Sequence, residues 1–460
     1  MSTAPSNATD RKDFHIIEGP LWNVIWVLTW PIMINMCAFG IGTFFDTWIA
    51  GKLSANAQAA MAIGWQIRYF MMMFTIALQV GATALISRYY GARDKVNTIE
   101  AARQSLIWGS VFSIISVCIG LPTCTGLLHL LGASAGVEQE GWEYLKFILV
   151  ANIPSTLLWT TQSIFRAVGN ARTAMETTIL GTVLVILFDY LFCLYPMHMG
   201  IGGIGISWIL AGSISFAWNL FQLANCEMRA CLNIVNSFAW GISKDWLLRI
   251  MKIGVPGCIQ EIALILGSFG LFSILAFTNQ PAINQAAWGI GWRLEELLVF
   301  LPMFALSTAI SIIVGQNLGA NQIERATQAS WKMVYAGVGI NALIAALLYL
   351  FAPNIASLMS SNAAVAKATV DYIYFIAWTE PCTIWCILSG AMQGAAYTRI
   401  PMLITIICYC IFRLSLAWYL TVIVGLGANG TWIAMALSSV LAAIFTVISF
   451  QQGKWKRQSV

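Results

Sequence analysis

Polar residues along this chain come in short clusters, and the intervals between them are long apolar runs. Twelve runs, at 20–50, 58–88, 102–127, 143–168, 173–195, 203–226, 249–277, 283–314, 328–352, 366–393, 400–422 and 429–450, are each long enough to cross a hydrocarbon core of about 30 Å, and each is predicted as a spanning helix. The expected fold class is an all-α polytopic membrane protein. Residues 1–18 are polar and mixed in charge, and the apolar run after them is too long for a secretory signal, so it is read as a retained first helix.

The runs repeat. Ile63-Gly64-Trp65-Gln66-Ile67-Arg68 returns as Ile290-Gly291-Trp292-Arg293-Leu294-Glu295, and Tyr90-Gly91-Ala92-Arg93 returns as Leu318-Gly319-Ala320-Asn321. Tyr144 to Pro154 resembles Tyr372 to Pro381, Arg166 to Met175 resembles Gln393 to Met402, and Gly202 to Ser207 resembles Gly427 to Trp432. All these matches lie about 224 to 228 residues apart, so the twelve helices form two homologous, pseudo-symmetric six-helix lobes. In an apolar chain a long repeat of this kind points to a two-lobed transporter. The expected layout is a tail at 1–18, an N-terminal lobe at 19–226, a polar linker at 227–248, a C-terminal lobe at 249–450 and a tail at 451–460.

Composition agrees: 59% of the 460 residues are hydrophobic and 9% charged, with a mean hydropathy of +0.77. Placing both termini in the cytoplasm gathers Arg88, Arg93, Arg166, Arg172, Lys244, Arg249, Arg325 and Lys332 on that side and leaves only Lys52, Lys146 and Lys367 outside. The same bias explains the net charge of +5 and removes any need for a nucleic-acid partner. The eleven cysteines, Cys37, Cys118, Cys193, Cys258 and Cys408 among them, have no metal-finger spacing and read as small packing residues.

Charged side chains at membrane depth are costly, and those retained there are candidates for function. Asp46 lies in the outer half of the first helix, beyond Pro31, whose ring removes a backbone hydrogen bond and allows a bend. A carboxyl there, facing a partly dry interior, could exchange a proton, or could simply reach the outer interface. Asp189 has apolar neighbours for a turn on each side and reads equally as a coupling acid or as a buried structural hydrogen bond. Glu261 follows Pro256, and Glu380 precedes Pro381 where the first half has Ile153. Two carboxylates in the C-terminal lobe could bind Na⁺ or a cationic substrate, or carry a proton. Arg293 and Glu296 share a helix face and should pair with each other, which leaves Glu295 the freer acid. Trp65, Trp288 and Trp292 could stack on a flat cation, although most of the twenty tryptophans must be core or interface belt. There is no Gly-x-x-x-x-Gly-Lys phosphate loop, and His15, His129 and His198 lack ligand spacing, so neither a cofactor nor a metal is expected.

These residues resemble the multidrug and toxic compound extrusion (MATE) family over about 19–450. The marks are Phe45-Asp46-Thr47 with Gly51-Lys52-Leu53, Ser87-Arg88-Tyr89-Tyr90-Gly91-Ala92, Phe165-Arg166-Ala167-Val168-Gly169-Asn170, Arg293-Leu294-Glu295 with Pro302, Val314-Gly315-Gln316-Asn317-Leu318-Gly319-Ala320, and Gln393-Gly394 through Thr398-Arg399-Ile400-Pro401. The resemblance implies a transporter, not an enzyme: a monomer of the inner membrane that exports organic cations or drug-like compounds in exchange for H⁺ or, second, Na⁺. It implies a coupling site at Asp46 and Asp189 with Ser207 as a nearby hydroxyl, and a second acid set matching Glu261 closely and Glu380 approximately. Val185 stands where relatives place an asparagine one turn before the second aspartate, and Gln393 where many have arginine. Losing that oxygen favours H⁺, because Na⁺ needs several oxygen ligands. A flippase for a lipid-linked precursor would want a cleft rich in arginine and lysine. An integral-membrane enzyme on such a substrate would need a polar loop with paired acids, and the longest outer loop offers only Glu138, Glu140 and Glu143.

Overall fold

The computed structural model describes residues 15–226, 228 and 241–458, which excludes residues 1–14 of the expected tail and most of the expected linker. The described residues form an all-α chain of twelve transmembrane segments in two six-helix lobes. In the first lobe α1 is Leu21–Leu53, α2 is Ala55–Met71 with Met73–Gly91, α3 is Lys95–Leu130, α4 is Ala135–Ala167, α5 is Ala171–Leu194 and α6 is Gly202–Ala224. In the second, α7 is Lys244–Leu275, α8 is Pro281–Gly319, α9 is Ile323–Met359, α10 is Ala363–Ala377 with Ile384–Gly394, α11 is Arg399–Ile423 and α12 is Ala428–Gln451.

Every predicted run overlies one segment, but the interruptions were not visible in the runs. The two halves of α2 meet at 49° around Met72. In α10 Pro381 stands in a 3₁₀ turn, Glu380–Thr383, that separates its two parts. Pro31 and Pro256 instead lie inside unbroken helices. Single π-turns interrupt α5 at Tyr190–Leu194 and α8 at Glu296–Phe300, and α11 holds two π stretches, Ile406–Phe412 and Tyr419–Ile423. Such turns insert a residue and re-aim the side chains that flank them.

Between helices in lipid, association rests on close packing and small residues rather than on exclusion of water. Within the second lobe, Gly390 and Gly394 of α10 face Ser307 and Ser311 of α8, so closely that a Cβ at either glycine would strike the opposing serine's backbone. Ser307 Oγ also donates to Cys386 O at 2.9 Å. The first lobe centres on Ile49, Met61, Tyr144, Leu145 and Ile148, the second on Leu271, Tyr372, Trp432 and Met435. Contacts divide the described chain within α7: Trp26–Val255 belong to the first unit, and Pro256 onward, with Ile17–Ile25, to the second. Gly81 and Gly254 place the start of α7 in the first unit, their Cα atoms lying against the carbonyls of Ile250 and Ala77. Of the cysteines read as packing residues, Cys193, Cys258 and Cys408 are buried, but Cys37 and Cys118 are exposed on helix surfaces.

Candidate functional site

The first lobe holds a buried charged centre built from five of its helices. Asp46 of α1 is 3% exposed, and Asp189, the last α-helical residue of α5 before its π-turn, is wholly buried. Asp46 therefore does not reach an interface. Its Oδ2 accepts a hydrogen bond from Trp208 Nε1 of α6 at 2.9 Å. Asp46 Oδ1 and both oxygens of Asp189 meet no donor in bonding geometry, and the two carboxyls lie side by side with Ser207 next to Asp189. The Ser207 hydroxyl donates to Gly203 O at 2.9 Å.

Arg68 of α2, 1% exposed, supplies the counter-charge. Its guanidinium lies 4.6 Å from the Trp208 ring centroid and 5.2 Å from that of Trp65, and its Nε donates to Asn152 Oδ1 of α4 at 3.3 Å. Tyr144 of α4 completes the surround, beside Arg68 and packed over Gly64. Two carboxyls and one guanidinium, all buried, leave one negative charge uncompensated when both acids are ionised. An unpaired charge in a dry interior is expensive. With one of the two carboxyls protonated, the three groups together are neutral.

Beside it opens a small cleft between α1, α4, α5 and α6, with about 40 Å³ of accessible space. Phe39, Trp159 and Trp208 form aromatic walls, Phe39 meeting both tryptophans edge to face at 6.1 and 6.0 Å. Gln162 and Thr178 form a polar floor: Thr178 Oγ1 accepts from Gln162 Nε2 at 3.0 Å and from Asn35 Nδ2 at 2.6 Å. Trp208 thus belongs to the carboxyl centre and to the cleft wall at once. Val185 also lines the cleft and offers no oxygen.

The second lobe repeats the count with the elements exchanged. Glu295 of α8, at the repeat position of Arg68, is 7% exposed and accepts a hydrogen bond from Tyr372 of α10, the repeat of Tyr144. It is consequently not the freer acid. Arg293 and Glu296 do pair, at 2.9 Å, on the exposed face. Glu380 in the 3₁₀ turn is buried and electrostatically coupled to Glu295. The cation comes from α11: Arg413 donates from Nε to Ser438 Oγ at 2.6 Å and from Nη2 to Ser439 Oγ at 3.0 Å, and lies 4.0 Å from the Tyr409 centroid. Glu261 is only partly buried and stands apart from Glu380, with Cys258 and Cys386 as its titratable neighbours. Trp288 and Trp292 stack on each other at 5.5 Å, and Trp65 leans on Arg68.

Arg68 stood out in the sequence as a charge at membrane depth but received no role, and Tyr144, Asn152 and Trp208 were not singled out at all. The repeat held a signal for two of them, since Arg68 and Tyr144 lie at the positions of Glu295 and Tyr372. For Trp208, among twenty tryptophans, there was none.

The fold and these buried centres define a polytopic membrane transporter of two homologous lobes. The MatE family model matches residues 31–191 and again 259–419, one match in each half, and the chain belongs to that family. It is 26% identical over 434 residues to a protein named as probable multidrug resistance protein NorM of Thermotoga maritima, covering 90% of this chain and 89% of that one. It is 21% identical to a transporter, YisQ, of Bacillus subtilis, with 94% of each chain covered. Among solved structures it resembles a MOP superfamily transporter from Pyrococcus furiosus (TM-score 0.86, 21% identity, 97% of this chain and 99% of that one). A MATE transporter of Vibrio cholerae is similarly close in fold (TM-score 0.87, 21% identity, 95% and 99%).

Proposed function

We propose that this transporter exports organic cations and drug-like compounds in exchange for H⁺, with the Asp46–Asp189 pair as its coupling site. The observation that carries the reading is the uncompensated negative charge of that pair, buried one side chain from an aromatic cleft. A single proton placed between the two carboxyls neutralises the centre and gives a partner to two of the three unpartnered oxygens, Asp46 Oδ1 and one oxygen of Asp189. Na⁺ would need a shell of several oxygens, and Val185 contributes none.

Trp208 links proton to substrate. With Asp46 ionised, its indole N–H makes a charge-assisted bond, which is about twice as strong as a neutral one. Protonation weakens that bond and frees an indole that also forms the cleft wall, where a flat cation would stack against Phe39, Trp159 and Trp208. Proton uptake thereby loosens the substrate's own contact surface, as antiport requires. Alternating access then carries the empty, protonated protein back, with both termini on the cytoplasmic side of the inner membrane. A flippase for a lipid-linked anion is disfavoured because each lobe centre holds two carboxyls for one arginine.

The test is efflux of a fluorescent organic cation from liposomes holding the purified protein, with H⁺ and Na⁺ gradients imposed separately. Efflux should follow the H⁺ gradient alone and vanish in Asp46→Asn. Efflux driven by Na⁺ alone would move coupling to the C-terminal acids Glu261, Glu295 and Glu380, and efflux unchanged in Asp46→Asn would end the reading.

A further inference from the structure

At its C-terminal end α12 turns into a hook. Gly453 takes φ +70°, a left-handed conformation that glycine adopts without cost, and turns the chain into a 3₁₀ segment, Lys454–Arg457. Trp455 pins this segment: it is wholly buried, stacks on Phe450 at 4.8 Å and donates from Nε1 to Phe450 O at 2.9 Å. The hook borders an open groove of about 680 Å³ between the start of α9 and the end of α12. Lys456 lines it from the hook, Trp331, Lys332 and Tyr335 from α9, and Gln451 from α12. Lys332 and Lys456 lie against the Trp22 and Trp455 rings at 5.9 and 5.7 Å, and neither forms an ion pair among the described residues. Glu324 is the one acid lining the groove, so the site carries a net positive charge.

Past Tyr335, α9 goes on presenting exposed apolar side chains. Tyr335, Leu343 and Leu350 follow one another along one side of α9, all exposed, and a Cβ on Gly339 between them would meet nothing within 4 Å. Ile444 and Ile448 stand exposed on α12 in the turns before Gln451. A basic, aromatic-rimmed mouth at the ends of two spanning helices, with exposed apolar side chains further along both, has the form of a phospholipid: anionic headgroup at Lys332 and Lys456, aromatic side chains at the interface, acyl chains along the apolar side chains. A soluble anion would use the lysines and leave the apolar side chains unused. We infer that this groove binds an anionic phospholipid, holding the headgroup phosphate between Lys332 and Lys456.

The experiment titrates the purified full-length protein in detergent with phosphatidylglycerol, with phosphatidylcholine of the same acyl chains, and with inorganic phosphate, counting bound lipid by native mass spectrometry. Phosphatidylglycerol should bind in preference to phosphatidylcholine. Lys332→Ala and Lys456→Ala should each weaken it by roughly five-fold, the contribution of one basic residue at an anionic surface. Lys367→Ala, exposed beyond the other end of α9, should leave it unchanged. Equal retention of both lipids, full affinity in the double lysine variant, or displacement of the lipid by millimolar inorganic phosphate would each overturn the assignment.

Discussion

At the scale of single residues, the most informative side chain is Trp208, because it bonds Asp46 and walls the cleft. Trp208→Phe keeps an aromatic, smaller side chain and deletes the N–H. H⁺-driven efflux should fall about ten-fold or more, while binding of a flat cation, read by fluorescence anisotropy, should change much less. Equal losses in both would make Trp208 merely a packing residue. Tyr372→Phe removes the donor to Glu295 and strands a buried carboxyl, a loss of about 1 to 3 kcal/mol that should lower the melting temperature in detergent. In the loop before α3, Asp94 caps the helix, accepting from the Asn97 side-chain amide at 2.6 Å and from its backbone N–H at 3.1 Å. These bonds hold the Asp94 carboxyl below the usual carboxylate range, so the cap is intact at neutral pH and is lost as pH falls through that lowered value. Asp94→Ala should cost about 1 kcal/mol at neutral pH and speed hydrogen exchange at the Asn97 amide. Asp46 and Asp189 were legible in the sequence because a carboxyl in an apolar run stands out. Trp208 and Asn152 were not, because their roles come from where α4 and α6 place them, and neither residue type is unusual inside a membrane helix.

At the scale of elements, the apolar runs located all twelve segments, since the length needed to cross a bilayer is a strong constraint. The interruptions depend on tertiary packing and left no comparable trace. The three prolines sit differently: α1 and α7 continue through Pro31 and Pro256, whereas Pro381 stands in a break. Spanning helices tolerate proline where neighbours satisfy the freed backbone groups. The π-turns beside Asp189 and Glu295 place an inserted residue next to each lobe's charged centre, which no hydrophobic periodicity could announce. Close glycine contacts are the testable counterpart. A Cβ at Gly64 would lie 2.7 Å from the Tyr144 ring, and one at Gly291 would overlap Tyr372. Gly64→Ala and Gly291→Ala should each destabilise by about 1 to 3 kcal/mol through overpacking. Gly394→Val should be worse, because its neighbour is the Ser311 backbone, which cannot rotate away. Melting temperatures in detergent would order the three variants.

At the scale of the whole molecule, each lobe's buried centre holds one arginine and two acids beside a repeat-related tyrosine, with the arginine on the second helix of the first lobe and on the fifth helix of the second. The repeat was plain in the sequence, but this exchange of polarity emerged only when Arg68 and Glu295 were seen against equivalent tyrosines. Among the described residues the first lobe joins its charged centre to an aromatic cleft through a shared side chain, and the proposed coupling role rests on that. Proton release on substrate binding measures this most directly. Purified protein in weakly buffered detergent, mixed with an organic cation in the presence of a pH dye, should release up to one proton per molecule. The signal should disappear in Asp46→Asn and persist in Glu295→Gln. Release that survives in Asp46→Asn, or its absence from the unsubstituted protein when the cation demonstrably binds, would contradict a coupling proton on the Asp46–Asp189 pair.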